Sequence, residues 1–95
     1  MKISPSSYPK KIEGQDSKTR DLGDEILAYD RVRGKVHVLN GTARRIYTLC
    51  DGSQTVGEIA DQLTRQYDVD ADTALSDLIA TIERLVQLGL VEILP

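Results

Sequence analysis

The sequence predicts an α+β domain of the winged helix-turn-helix type, in which two or three N-terminal β-strands are followed by three α-helices. Three observations support this fold class. The chain has 95 residues, 40% hydrophobic and 28% charged, which fits one small globular domain. Two runs with the composition of strands are joined by a short turn that ends in glycine. Three segments with helical apolar spacing follow them.

The first 23 residues lack a sustained apolar period and mix Ser, Pro, Lys, Asp and Gly. We expect residues 1–23 to form a flexible segment that contributes at most one first strand, over residues 10–13 or 19–22. Residues 24–95 then form the folded domain. At the other end of the chain, residues 90–94 are a short apolar tail with the composition of a strand.

The two strand-like runs are Glu25–Asp30 and Lys35–Asn40. Residues 31–34 between them end at Gly34, and this spacing predicts a β-hairpin. The second run contains one Lys and no Pro, so little in it discourages pairing along a free edge. If that edge is open, an extended peptide can add to it as a further strand. The sequence leaves an alternative equally open, in which the N-terminal segment covers the edge or exchanges with a second copy.

Capping signals bound the three predicted helices. An Asp-Gly pair that ends at Gly52 closes the first helix. Thr55 and Glu58 form a capping box at the start of the second, since each side chain can bond a main-chain amide of the other residue. Asp70 can cap the third, a long helix with one apolar face, and Gly89 is placed to end it.

The sequence contains no constellation for catalysis, metal binding or cofactor binding. One cysteine, Cys50, and one histidine, His37, cannot supply a four-ligand zinc site. Cys50 lies on the apolar stripe of the first helix, which favours a core thiol over a nucleophile. We interpret His37 as an exposed or half-buried strand residue, with contact to a bound peptide or general-base catalysis as alternatives. We therefore predict a protein that is not an enzyme and that needs no metal or cofactor.

The chain lacks the sequence features of export and membrane insertion. It has neither the apolar stretch of a signal peptide nor a run of about 20 apolar residues. A single cysteine also fits a reducing compartment, because no intrachain disulfide can form. We expect a cytoplasmic protein.

Charge is unevenly distributed along the chain. Residues 1–50 carry ten Lys or Arg against six Asp or Glu, and residues 51–95 carry two against nine, which gives the net charge of -3. The helix order and the basic hairpin suggest a winged-helix nucleic-acid-binding or transcription-regulatory domain as the alternative function. The second and third helices carry more carboxylates than basic groups, and such helices repel phosphates. We therefore expect neither nucleic acid nor membrane among the partners.

Short motifs occur in a fixed order over residues 24–92. Leu39-Asn40 precedes the first helix, Asp51-Gly52 closes it, Thr55-Val56 opens the second, and Gly89-Leu90 ends the third. With this order and spacing the chain resembles the PqqD-like family. The resemblance implies a RiPP recognition element, a domain that binds the leader segment of a ribosomally synthesised precursor peptide and presents it to a modifying enzyme. Such a domain is a peptide chaperone and not a catalyst.

The resemblance also implies where the leader binds. In this family three N-terminal strands precede three helices, and the leader adds beside the third strand, over a groove walled by the third helix. On this chain the strand is Lys35–Asn40 and the helix is Ala71–Gln87. The implied peptide-binding residues are Val36, His37, Val38 and Leu39 on the strand, and Ala74, Asp77, Leu78, Thr81 and Ile82 on the helix. Leu39 and Leu78 also fit the core, and the opposite edge of the helix is the alternative wall.

The implied partners are a precursor peptide and a modifying enzyme. The family that the chain resembles serves several biosynthetic pathways. They include pyrroloquinoline quinone (PQQ) formation with a radical S-adenosylmethionine (SAM) enzyme and lasso peptide formation with a leader protease. The residues of this chain do not favour one of these pathways over another.

Overall fold

A computed structural model of the protein describes residues 3–12, 19–30 and 33–95. The elements in chain order are β1 (Tyr8–Lys11), β2 (Thr19–Asp21), β3 (Glu25–Asp30), β4 (Lys35–Asn40), α1 (Gly41–Leu49), α2 (Val56–Gln66), α3 (Ala71–Gln87) and β5 (Val91–Leu94). The predicted α+β class, with N-terminal strands before three helices, is confirmed. The strand count differs, because four strands precede the helices and a fifth follows them.

The strands β2, β3 and β4 form one antiparallel sheet in that order. The predicted hairpin is confirmed, since β3 and β4 pair along their full length. Of the predicted turn at residues 31–34, only Arg33 and Gly34 lie within the described residues. Gly34 has a φ of 66°, a left-handed conformation that favours glycine. Because β2 pairs with the far side of β3, the alternative in which the N-terminal segment covers β4 is wrong for the described strands.

The N-terminal segment is more ordered than its composition predicts. The strand β1 pairs antiparallel with β5. On the other side of β1, the N–H of Lys11 donates to the carbonyl of Cys50 over 2.9 Å, and the carbonyl of Pro9 accepts from Gly52 over 3.0 Å. Both candidate strands of the segment therefore exist, as β1 and β2, although residue 13 of the first candidate lies outside the described residues. Local patterning did not predict the partner of β1, because β5 lies at the opposite end of the chain.

The same segment completes the first turn of α2. The N–H groups of the first two residues of α2 donate to the carbonyls of Ser7 and Pro5, each over 2.9 Å. The predicted capping box is confirmed, since Thr55 Oγ1 accepts from the Glu58 N–H over 3.1 Å and Glu58 Oε1 accepts from the Thr55 N–H over 2.8 Å. These bonds satisfy amides that have no partner inside the helix.

The predicted ends of α3 are also confirmed. The carboxylate of Asp70 accepts from the N–H of Thr73 over 2.8 Å and from its hydroxyl over 2.9 Å. After α3, Gly89 has a φ of 76°, and Gly89 and Leu90 donate their N–H groups to carbonyls of the last turn over 3.0 Å each. This pair of bonds is a Schellman motif, and it turns the chain from α3 into β5.

One hydrophobic core lies between the sheets and the three helices. Its most buried side chains include Leu39, Ile46, Cys50, Val56, Ile59, Leu78, Ile82, Leu85, Leu90 and Val91. The prediction that Cys50 is a core thiol is confirmed. Its Sγ donates to the carbonyl of Ile46 over 3.2 Å, and burial raises the pKa of the thiol to about 12, far from the range of a nucleophilic cysteine.

Candidate functional site

The strand β4 forms an edge of the three-stranded sheet. Within the described ranges, it pairs with β3 on one side and with no strand on the other. Along such an edge every second residue leaves its N–H and C=O without a ladder partner. Neither a proline nor a bulge interrupts β4, and Lys35 is its one charged residue. The edge is therefore able to accept an extended peptide as a fourth strand.

Side chains of β4 alternate between two faces of the sheet. Val36 and Val38 lie on the face turned away from the helices, where 53% and 45% of their surface is exposed. They stand opposite two further apolar side chains, Leu27 and Tyr29 of β3. Leu39 lies on the inner face and is only 1% exposed, so it belongs to the core. A peptide beside β4 can thus meet Leu39 only through main-chain atoms.

His37 also lies on the inner face, midway along β4. Its ring is half-buried, as the sequence predicts for a strand residue between two valines. Its Nε2 atom is shielded from solvent and has no hydrogen-bond partner. The residue opposite it on β3 is Ala28, whose methyl group cannot form a hydrogen bond. His37 is therefore a polar group without a polar neighbour across the β3–β4 ladder.

A cavity of about 280 Å³ opens between the start of α1, the end of α2 and the first half of α3. Its lining residues are Thr42, Ile46, Leu63, Tyr67, Val69, Ala74, Asp77, Leu78 and Thr81. A closed apolar cavity of about 150 Å³ is enough to hold benzene, so this one has room for a large apolar side chain. Most of the wall is apolar, and Thr42, Asp77 and Thr81 supply its polar groups.

The cavity and the β4 edge are close in the fold because α1 connects them. The helix α1 follows β4 directly and packs against it. Thr42 and Ile46 of α1 form one wall of the cavity, and Thr42 lies two residues after the end of β4. The strand with the open edge and a helix that walls the cavity are therefore consecutive in the chain and in contact.

The structure brings together most of the α3 residues that the family resemblance implies. Ala74, Asp77, Leu78 and Thr81 all line the cavity. The carboxyl-bearing residue Asp77 is exposed, and its main-chain carbonyl accepts a hydrogen bond from the Thr81 hydroxyl over 2.9 Å. Ile82 is as buried in the core as Leu78, but it is not among the residues that line the cavity.

Sequence reasoning missed the other five residues of the cavity wall. In the sequence, Ile46, Leu63 and Tyr67 fit the apolar stripes of the first two helices, Thr42 fits a cap of the first helix, and Val69 has no predicted role. The available signal lay at Tyr67 and Val69, two apolar residues in the loop between α2 and α3 where a solvated turn normally carries polar ones. Both remain more than 40% exposed in the folded protein.

The opposite edge of α3, the alternative wall, carries a smaller depression. Its volume is about 140 Å³, and it is lined by Ile3, Glu83, Val86 and Gln87. Ile3 belongs to the N-terminal segment, so this depression lies between that segment and the C-terminal half of α3. It is half the volume of the cavity.

The described residues also bear on membrane crossing and metal binding. None of the helices in this part of the chain is both long and apolar enough to cross a membrane. No cluster of three or more His, Cys, Asp or Glu side chains within it is arranged to hold a metal ion.

Comparison with known proteins places the same region in one family. The family model described as coenzyme PQQ synthesis protein D (PqqD) matches residues 19–91. Two relatives carry the name PqqA binding protein. The one from Bradyrhizobium diazoefficiens is 33% identical over 64 residues, which is 67% of this chain and 58% of that protein. The one from Gluconobacter oxydans is 32% identical over 69 residues, which is 64% of this chain and 72% of that protein.

A solved structure matches almost the whole chain. It is TbiB1 in complex with the TbiA(beta) leader peptide. The two chains are 25% identical with a TM-score of 0.65, and the match covers 97% of this chain and 95% of TbiB1. The match therefore includes the β1–β5 sheet as well as the region of the family model.

Proposed function

This chain belongs to the PqqD family, and from that premise we propose that it binds the leader segment of a ribosomally synthesised precursor peptide. The leader adds to the free edge of β4 as a further antiparallel or parallel strand. The bound peptide is then held for a modifying enzyme that carries out the chemistry. The domain itself contributes recognition and not catalysis.

The observation that carries this proposal is the unpaired edge of β4 beside an apolar cavity. Main-chain bonds to an edge strand supply affinity that does not depend on the peptide sequence, and a side-chain pocket next to the edge supplies selectivity. Both parts occur here on adjacent elements, β4 and α1. Two relatives named for PqqA binding, and a similar structure that contains a leader peptide, support the same assignment.

The candidate residues divide into two roles. On β4, alternate residues among Val36, His37, Val38 and Leu39 offer their main-chain N–H and C=O to the leader, and all except Leu39 can offer a side chain. On α3, Ala74, Asp77, Leu78 and Thr81 form the wall that receives an apolar leader side chain. Ile82 packs behind that wall in the core.

Binding of this kind accelerates modification by raising local concentration. A leader held by this domain keeps its core peptide close to the active site of the enzyme that the domain contacts. We propose a radical SAM enzyme or a leader protease as that enzyme. A core peptide without its leader should then lose most of its processing. The alternative of a nucleic-acid-binding domain gains no support from the comparisons.

An amide-resolved NMR titration tests the proposal. The probes are synthetic PqqA, the TbiA(beta) leader and the leaders of short peptides encoded beside the gene of this protein. We expect saturable shifts for at least one probe, concentrated on β4, on the start of α1 and on the cavity side of α3. A well-folded spectrum that no probe changes, or shifts confined to the β1–β5 sheet, would contradict strand addition at β4.

A pair of proline substitutions tests the main-chain bonds directly. In an antiparallel ladder, neighbouring residues direct their N–H groups to opposite sides of the strand. His37→Pro and Val38→Pro therefore remove two different bonds, one to β3 and one at the free edge. We expect one variant to keep its fold and lose leader affinity by about tenfold, and the other to lose stability. Full leader affinity in both folded variants would exclude this edge.

A further inference from the structure

The Nε2 atom of His37 is polar, sheltered from solvent and without a hydrogen-bond partner. It is the one histidine of the chain, and it lies on the inner face of an edge strand. Its Nε2 is one of two sheltered side-chain atoms in the described residues that have no hydrogen-bond partner. The other is Nε of Arg44, whose guanidinium already lies 3.6 Å from the carboxylate of Asp21.

A sheltered polar atom without a partner is uncommon in folded proteins, because removal from water costs free energy that no bond then offsets. Across the ladder, Ala28 of β3 offers no polar group. The opposite side of β4 is the edge to which the leader is proposed to add. A strand there places a side chain next to His37 on the same face, with the two Cβ atoms about 5 Å apart.

We propose that His37 selects leaders by the side chain that they carry at the position beside it. The residue beside His37 is a short uncharged side chain that both donates and accepts hydrogen bonds, namely Ser, Thr or Asn. Such a group can bond Nε2 in either tautomer of the ring. It accepts a hydrogen bond when Nε2 carries the proton, and it donates one when Nε2 does not. A carboxylate fits less well, because a charge is costly to shelter from water. This inference rests on the proposed function and adds to it the class of side chain that the strand edge recognises.

The test is a positional scan of the leader that binds in the NMR titration. Each residue of its bound segment is replaced in turn by Ala, Asn and Asp, and affinity is measured by fluorescence anisotropy. We expect one position at which the Asn peptide binds about tenfold more tightly than the Ala peptide, and more tightly than the Asp peptide. The Nε2 resonance of His37 should shift with the Asn peptide and not with the Ala peptide.

Variants of the protein then assign the preference to His37. In His37→Leu the preference for Asn over Ala disappears, and in His37→Gln, which keeps a donor and an acceptor, part of it remains. Val36→Leu is the matched control on the outer face of the same strand and keeps the full preference. His37→Leu should also raise the Tm of the free protein, since an apolar side chain replaces a sheltered polar one.

The outcomes separate this inference from the proposed function. If the wild-type protein binds leaders with no polar preference at any position, the role of His37 is overturned and leader binding stands. The same holds if His37→Leu keeps the preference. If no leader binds the wild-type protein, both are overturned. If His37→Leu does not fold, the positional scan and the Nε2 shift on the wild-type protein still decide the question.

Discussion

The strands β1 and β4 differ in the number of sides on which they form main-chain hydrogen bonds. β1 is bonded on both sides, to β5 on one and to the Cys50–Gly52 stretch on the other. β4 is bonded on one side only within the described residues. The residues of β1 and those just before it pair with β5 and satisfy the first turn of α2. This pairing leaves the edge of β4 open within the described part of the chain.

The largest effect on stability is expected from a core substitution beside the β1–β5 sheet. Leu90 is fully buried, and its carbonyl accepts from the N–H of Ile12 over 3.0 Å. Leu90→Ala removes core volume next to β5 and should lower the free energy of unfolding by about 2–5 kcal/mol, measured by urea denaturation. Leu94→Ala is the control, since Leu94 is only half-buried and should cost less. If the β1–β5 sheet and the free edge of β4 are independent in function, the leader affinity of folded Leu90→Ala stays within about twofold of wild type.

A smaller effect is expected from filling the cavity between α1, α2 and α3. Ala74 lines the cavity, and Ala74→Leu places a larger side chain where the leader is proposed to insert one. We expect about a tenfold loss of leader affinity and an unchanged urea midpoint, because the cavity has room for the added atoms. Ala80→Leu makes the same change on an exposed face of α3 and should leave affinity unaltered. Equal affinity losses in the two variants would remove the cavity from the binding site.

The smallest effect concerns the cap of α3, next to the cavity. Hydrogen bonds from the backbone N–H and then the hydroxyl of Thr73 lower the pKa of the Asp70 carboxyl. Because the folded pKa lies below the unfolded one, the carboxylate stabilises the fold at neutral pH, and this contribution is lost as pH falls through the folded pKa. The urea midpoint of Asp70→Ala should therefore lie below that of wild type at pH 7 and approach it as the pH falls through the folded pKa. A difference that stays constant over this pH range would contradict a role for the charge.

Local signals account for the parts of the fold that were predictable. The capping box at Thr55, the cap at Asp70 and the end at Gly89 each depend on residues within one helical turn, and all three are present as predicted. The composition of Lys35–Asn40 likewise predicted the second strand of the hairpin. The pairing of Tyr8 with Leu94 joins opposite ends of the chain, so neither local sequence could indicate it.

The same distinction applies to the candidate site. The family resemblance implied the α3 residues of the cavity wall, which lie on one face because residues three and four apart are neighbours on a helix. Ile82 was implied with them and is as buried as Leu78, but only Leu78 also lines the cavity. Thr42 and Tyr67 come from other helices, and only the packing of α1 and α2 against α3 brings them to the same cavity. No single segment of the sequence can indicate a wall that three helices form together.

The pairing of β1 with β5 has a consequence for how this domain can be joined to other proteins. Tyr8 stands opposite Leu94, so the start of β1 and the end of β5 lie side by side. A linker that continues from β5 therefore starts beside the first residue of β1. A protein fused there would be attached at the β1–β5 sheet and not at the strand that has the open edge.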